Sequence, residues 1–229
     1  AYSGGPYTTI ASGVTATSYI DTVASNSKYY YVVSAVGTVE SLNSMEVTVA
    51  LPYPWQSQDI GSVGYAGSVV FDEGVFTVQG SGSDIWDASD NFRYVYLPVN
   101  GDCTAIARVS EVQNTDSWAK AGLMIRETLA SNSKNAYIAV TPGNGVTWQY
   151  RTSTGGNCGN SNTTGLTAPY WVKIVRTGST FRGYRSVDGV TWTQQGSATT
   201  ISMASSVYIG IAVTSHNNSR ICSTVLDSV

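Results

Sequence analysis

Residues 136–151 read AYIAVTPGNGVTWQYR, and this stretch decides the fold class. Two runs rich in apolar and β-branched residues flank the four residues PGNG at 142–145. Runs of this length that are bounded by Gly and Pro are typical of β-strands joined by a turn. The stretch therefore predicts two strands, at 136–140 and 146–152.

The same pattern continues along most of the chain. Short alternating runs are separated by clusters of Gly, Asn, Asp and Ser, and Asp-Gly at 188–189 is typical of a tight hairpin turn. The sequence therefore predicts an all-β protein with almost no helix. The further strands are expected at 28–36, 92–99, 104–112, 122–127, 170–176, 180–186, 191–195, 207–214 and 223–229.

The composition narrows the classes of partner. Only 12% of the residues are charged, against roughly 25% in ordinary soluble domains. The net charge of −3 and the lack of a basic stripe argue against a nucleic-acid partner. No run of about 18 apolar residues indicates a membrane span. The 15 tyrosines and 6 tryptophans suit an extracellular protein that meets neutral polymers, or else they serve only as good strand formers.

Two prolines in LPYPWQ, at 51–56, interrupt strand pairing and predict a short linker. We place the domain boundary there, with one domain at 1–52 and a second at 53–229. The first contains GGPYTTIASGV, TSYIDTVASNSKYYYVVSAV and NSMEVTVALP, and it resembles the C-terminal half of a fibronectin type III domain. This resemblance implies that Tyr29 or Tyr30 is the corner tyrosine and that Val23 stands at a usual leucine position. Half of such a sandwich exposes unpaired strand edges, which another domain or chain must cover.

The second domain carries a separate resemblance. SDIWDASDNFRYVYLPVNGDCTAIARV, APYWVKIVRTGSTFRGYRSVDGVTWTQQG and VYIGIAVTSHNN are similar to stretches of concanavalin A-like, laminin G-like modules appended to secreted bacterial polysaccharide-degrading enzymes. The resemblance implies an antiparallel jelly-roll β-sandwich preceded by the partial fibronectin type III sandwich. It also implies a glycan ligand and a secreted, extracellular protein.

Catalytic patterns are sparse in the sequence. A glycosidase needs two carboxylates on either side of a sugar, and no Glu-x-Asp strand of the kind found in jelly-roll glucanases is present. His216 has no serine-and-carboxylate arrangement near it in the sequence. The sequence therefore leads us to expect no enzymatic activity from this chain.

Aromatic rings and polar neighbours are the candidate ligand contacts, because sugars stack on rings and exchange hydrogen bonds through their hydroxyls. The alternative for each aromatic is a place in the core. Arg126 lies inside a predicted strand and must find a partner, either a carboxylate of Glu111, Asp116 or Glu127, or a sugar. The candidate ligand-binding residues are Trp118, Arg126, Glu127, Trp148, Tyr150, Arg151, His216 and Asn217.

Asp84, Asp87 and Asp90 are spaced so that they could ligate a structural calcium, with a solvated turn as the alternative. No other cofactor is expected. Three cysteines, at 103, 158 and 222, allow one disulfide and one free thiol, or three free thiols.

These observations favour a non-catalytic polysaccharide-binding module of a secreted multidomain bacterial protein. Low charge favours a neutral or weakly acidic glycan. The alternative is a structural subunit of an extracellular fibre or surface layer, in which chains complete one another's sandwiches by strand addition and form homo-oligomers.

Overall fold

The computed structural model of the chain describes residues 4–19, 21, 29–49 and 51–229 and shows the predicted all-β protein. Within these residues there is no helix, and hence none that is long and apolar enough to cross a membrane. The strands are β1 Tyr29–Tyr31, β2 Val47–Val49, β3 Gln56–Ile60, β4 Ser68–Asp72, β5 Val75–Gly80, β6 Ile85–Trp86, β7 Ser89–Asp90, β8 Phe92–Asn100, β9 Cys103–Val112, β10 Lys120–Arg126, β11 Asn135–Thr141, β12 Gly145–Arg151, β13 Gly159–Thr163, β14 Tyr170–Thr177, β15 Thr180–Ser186, β16 Thr193–Thr200, β17 Ser206–Thr214 and β18 Cys222–Asp227.

Two seven-stranded antiparallel sheets form a β-sandwich. The first sheet has the strand order β13-β12-β11-β10-β17-β8-β3, and the second has the order β16-β15-β14-β9-β18-β5-β4. Four of these strands, β3, β4, β5 and β13, were not predicted. β3, β4 and β13 are edge strands, and β5 lies next to the edge strand β4. β3 and β13 are rich in Gln, Asn and Ser, so they lack the apolar alternation on which the prediction depends.

The β11–β12 hairpin closes at the predicted turn. Thr141 pairs with Gly145, and the Thr141 hydroxyl accepts a hydrogen bond from the Asn144 N–H at 2.9 Å. Gly145 has φ +80°, and a Cβ there would lie 1.9 Å from the Thr163 carbonyl oxygen. Glycine is therefore required at this position by both the conformation and the space.

The main core lies between the sheets. Leu123, Ile138 and Trp148 of the first sheet belong to one buried cluster with Ile174 and Phe181 of the second. Alternate residues of each strand point into this cluster, as the sequence pattern predicts. Each fully buried aliphatic or aromatic side chain contributes roughly 1.5–3 kcal/mol to the burial free energy.

The other face of the first sheet is covered by large side chains rather than left as a groove. Gly210 and Ala212 of β17 make room there for Tyr94 and Tyr137. The Tyr137 hydroxyl donates to the Ala212 carbonyl at 2.9 Å, and Ile85, from the segment before β8, packs on the same cluster. The small residues of β17 thus accommodate tyrosines of their own sheet.

The chain before residue 51 shows one short pair of strands among its described residues. Tyr29 to Tyr31 pair with Val47 to Val49, a shorter element than the predicted strand at 28–36. This pair does not confirm the half fibronectin type III domain, and the Val23 match lies outside the described residues. The boundary at 52/53 stays a prediction. Trp55, just after it, packs on Phe76 of the main core, with ring centroids 5.1 Å apart.

Candidate functional site

Three connecting segments meet at one end of the first sheet. Lys120, the first residue of β10, pairs with Thr214, the last residue of β17. The segment that precedes β10 and the segment that follows β17 therefore leave the sheet side by side. The loop between β5 and β8 joins them there through Asp84.

A histidine lies between two carboxylates at this end. His216 Nε2 is 3.2 Å from Asp84 Oδ2, and His216 Nδ1 is 3.2 Å from Asp116 Oδ1. The side chains of Asp84, His216 and Asp116 are 24%, 30% and 38% exposed. Only the imidazolium form has a donor on each nitrogen and can bond to both carboxylates. We call these three residues the Asp–His–Asp cluster.

Lys120 and Trp118 complete the site. The Lys120 ammonium forms an ion pair with Asp84 and lies 5.7 Å from the centroid of the Trp118 ring. The backbone N–H of Trp118 donates to Asp116 Oδ1 at 2.7 Å, and this bond fixes the loop that carries the ring. Trp118 is half-buried, while the Lys120 side chain is almost completely buried. The Trp118 ring thus lies near an ammonium that pairs with Asp84, and the Trp118 backbone bonds to Asp116.

The turn that carries His216 is held by its own hydrogen bonds. His216 has φ +50°, a left-handed conformation that is uncommon for residues other than glycine. The Ser215 hydroxyl donates to the Asn217 carbonyl at 2.7 Å, and the Asn217 side chain accepts from the Ser219 N–H at 3.0 Å. Asn217 therefore shapes the turn, and His216 is the residue that the turn presents to the two carboxylates.

A shallow groove of about 620 Å³ adjoins this end. Its lining includes Glu111, Gln113 and Pro142. Gly143, which follows Pro142, donates its N–H to the Ser117 carbonyl at 3.1 Å, so the groove begins beside the loop of Trp118.

Arg126 is buried and held by a carboxylate, as predicted, but the partner is Asp90 rather than Glu111, Asp116 or Glu127. Arg126 Nη1 lies 3.4 Å from Asp90 Oδ2, and its guanidinium lies 5.1 Å from the Phe92 ring centroid. Burial lowers the pKa of Arg126, and the Asp90 charge opposes this shift. Arg126 is completely buried, so its side chain has no surface open to solvent, and its ligand contact stays a prediction.

Arg151 shares the same carboxylate. Its Nη2 lies 2.6 Å from Asp90 Oδ1 and its Nη1 lies 2.8 Å from Asp90 Oδ2, the two-pronged geometry of a strong guanidinium–carboxylate pair. Arg151 and Asp90 are both fully buried. The contact of Arg151 with a ligand stays a prediction as well. Arg126, Asp90 and Arg151 form a buried ion network that supports the loop over the sheet.

The other predicted contacts lie away from the site or in the core. Trp148 is fully buried between the sheets, where its indole N–H donates to Thr199 Oγ1 at 3.1 Å, and its ligand contact stays a prediction. Tyr150 packs beside it, with ring centroids 6.5 Å apart. Glu127, at the opposite end of β10, pairs with Lys134 at 2.9 Å. Burial alone raises the pKa of Glu127, but hydrogen bonds from Lys134 and the Ala204 N–H outweigh it and lower the pKa overall.

The three spaced aspartates do not come together as a calcium site. Asp90 is occupied by two arginines, Asp84 pairs with Lys120 and His216, and Asp87 is exposed. The described part of the chain contains no group of three or more side chains that could hold a metal ion.

All three cysteines are free thiols. Cys158 donates to the Asp87 carbonyl at 3.5 Å, and burial raises the pKa of its thiol to about 11. The uncharged thiol is a weak nucleophile at neutral pH.

Sequence reasoning found His216 and Trp118 but missed how they are joined. Lys120 carries no signal in the sequence, and neither Asp116 nor Asp84 is predicted there to contact His216. The three segments are far apart in the chain. The β10–β17 pairing brings two of them together, and the contacts of Asp84 with Lys120 and His216 add the third.

Comparisons with known proteins support the fold. No protein-family model matches the chain, and no curated protein does. A Saccharomyces cerevisiae protein of unknown function shares the fold with a TM-score of 0.57 and 18% identity, over 70% of this chain and 89% of its own. At this identity the likeness describes the fold alone.

Weaker matches include carbohydrate-active proteins. The GH43 protein BlXynB from Bacillus licheniformis has a TM-score of 0.44 and 12% identity, over 82% of this chain and 41% of its own. LamAcat from Zobellia galactanivorans has a TM-score of 0.43 and 8% identity, over 75% of this chain and 87% of its own. The chain thus spans less than half of the GH43 protein.

These matches correct one prediction. The sequence led us to expect a chain that is not an enzyme, but glycoside hydrolases stand among the solved structures that it matches.

Proposed function

We propose that this chain recognises a polysaccharide at the end of the first sheet where Trp118 adjoins the Asp–His–Asp cluster. One observation carries the proposal: half-buried Trp118 shares one sheet end with two carboxylates and an imidazole that are each partly open to solvent, and Lys120 links its ring to Asp84. A pyranose ring offers C–H groups to an indole and hydroxyls to carboxylates, so this combination suits a sugar. The groove lined by Gln113 and Pro142 at the same end offers room for further sugar units.

The low charge of the chain favours a neutral or weakly acidic polysaccharide at this site, since the cluster supplies acceptors rather than a strong positive field. We also propose that the protein is secreted, because a surface rich in Ser, Thr, Asn and Tyr suits contact with extracellular polymers. The strand-complemented fibre stays an untested prediction.

The test is affinity electrophoresis through gels that each contain one neutral polysaccharide of plant, algal, fungal or bacterial origin. We expect at least one gel to retard the wild-type chain. Trp118→Ala should lose roughly 1–3 kcal/mol of binding, by analogy with base stacking on aromatic rings, and keep its melting temperature. Tyr53→Ala is the matched control, because Tyr53 is 74% exposed and lies in the linker.

Two results would refute the proposal. The first is no retardation by any polysaccharide. The second is retardation of Trp118→Ala equal to that of the wild type. A large drop in melting temperature for Trp118→Ala would show that the ring stabilises the fold. Asp84→Asn and Asp116→Asn would then serve as the variants that test binding.

A second candidate function is hydrolysis of the bound polysaccharide. It is favoured by the placement of Asp84 and Asp116 on opposite sides of His216, each 3.2 Å from the ring. Glycosidases use two carboxyl groups roughly 5–9.5 Å apart, one as acid and the other as nucleophile or base. Release of reducing sugar from a retarding polysaccharide, abolished in both Asp84→Asn and Asp116→Asn, would support it. No release at high protein concentration would refute it.

A further inference from the structure

The outer face of the second sheet carries a lysine between two aromatic rings. Lys173 of β14 pairs with Tyr184 of β15, and both side chains point away from the core. The Lys173 ammonium lies 4.7 Å from the centroid of the Tyr184 ring and 4.2 Å from that of Trp192. All three side chains are half-buried, so part of each is open to solvent. We call these residues the Lys173 cradle.

The turn before Trp192 fixes one wall of the cradle. Asp188 accepts hydrogen bonds from the Thr191 N–H at 2.7 Å and from the Val190 N–H at 2.8 Å. These backbone hydrogen bonds hold the pKa of Asp188 well below its ordinary value. Its carboxylate is therefore committed to the turn. The indole is thus positioned before any ligand arrives.

Among the residues that the structure describes, Lys173 has no carboxylate partner. Every ion pair found there is formed by a different basic side chain. Arg182, which faces outward on β15 two residues from Tyr184, has no such partner in that part of the chain either. Ile106, opposite Lys173 on β9, is 37% exposed and extends the apolar part of the face. Two unneutralised cations therefore lie beside exposed apolar and aromatic surface, in a chain whose net charge is −3.

We propose that the Lys173 cradle is a second binding site, for an acidic polysaccharide. A carboxylate or sulfate group of the ligand bonds to Lys173 and Arg182, and the adjoining sugar ring packs against Trp192 and Tyr184. The charge on the ligand replaces the counter-ion that the chain itself does not supply, and the rings contribute contacts that a simple polyanion cannot exploit. This site lies on the other sheet from Trp118 and does not depend on the proposed function of that end.

The test measures binding of the whole chain to polygalacturonate, to its fully methyl-esterified form and to dextran sulfate by titration calorimetry. We expect polygalacturonate or dextran sulfate to bind, the ester to bind much less, and added salt to weaken binding. Lys173→Gln and Trp192→Ala should each weaken binding about tenfold. Lys134→Gln removes the same charge at another place and should bind like the wild type. Trp118→Ala should do so as well, which separates this site from the first.

Binding of polygalacturonate alone would assign a carboxylate as the recognised group, and binding of dextran sulfate alone would assign a sulfate. The proposal is overturned if neither polymer binds. It is also overturned if Trp192→Ala, with an unchanged melting temperature, binds like the wild type, since the contact would then be a charge effect without a site. If Trp192→Ala does not fold, Lys173→Gln is used in its place, and binding equal to that of the wild type would overturn the proposal.

Discussion

At the scale of single residues, one buried carboxylate organises the loop over the first sheet. Asp90 receives both Arg126 and Arg151, and Asn135 donates to it at 3.2 Å. The sequence indicated that Arg126 needs a carboxylate, because a mid-strand arginine is rarely left alone. It did not indicate which one, since Asp90 lies 36 positions away and reaches Arg126 only after the loop folds back. The chemical need was local, whereas the partner depended on tertiary structure.

Asp90→Asn should destabilise the fold by about 3–5 kcal/mol, because it leaves two buried guanidinium groups without a counter-charge. Urea unfolding followed by tryptophan fluorescence measures this change. Asp87→Asn is the matched control, because Asp87 is exposed and donors reach its backbone carbonyl rather than its carboxylate. Equal stability of the Asp90→Asn and wild-type chains would show that the network is not needed for folding.

At the scale of elements, the central strands were predicted well and the outer ones poorly. β10, β11 and β12 are buried along nearly their whole length, so their apolar runs stand out in the sequence. β13 reads GNSNT and pairs along one side only, so its residues face solvent and leave no periodic signal. A strand of this kind is defined by its neighbour's backbone rather than by its own side chains.

The small residues of β17 make a sharper test at this scale. A Cβ at Gly210 would lie 2.0 Å from the Val95 carbonyl oxygen of the neighbouring strand. Gly210→Ala should therefore cost roughly 1–3 kcal/mol or more through overpacking, seen as a lower urea midpoint. Gly37→Ala is the control, since its Cβ would meet nothing closer than 4.0 Å. A Gly210→Ala chain as stable as the wild type would mean that β8 and β17 are not held at this separation.

At the scale of the whole molecule, the sandwich presents two separate polar and aromatic surfaces. One is the end of the first sheet, where Trp118 adjoins the Asp–His–Asp cluster, and the other is the Lys173 cradle on the second sheet. The sequence predicted part of the surface at the end of the first sheet, because His216 and Trp118 lie near the ends of predicted strands. The sequence did not predict the Lys173 cradle, since Trp192 follows an Asp-Gly turn in an alternating pattern that also fits a core residue. Which face such a ring occupies is decided by strand register, which residue order alone does not specify.

The central claim is that a polysaccharide binds at the end of the first sheet. Amide hydrogen exchange of the whole chain, measured by mass spectrometry with and without a neutral polysaccharide that retards it, tests this claim most directly. We expect slower exchange in peptides that cover 82–87, 116–120 and 215–218, and unchanged exchange in those that cover 170–195. Protection confined to other segments, or none at a saturating concentration of the polysaccharide, would contradict the account.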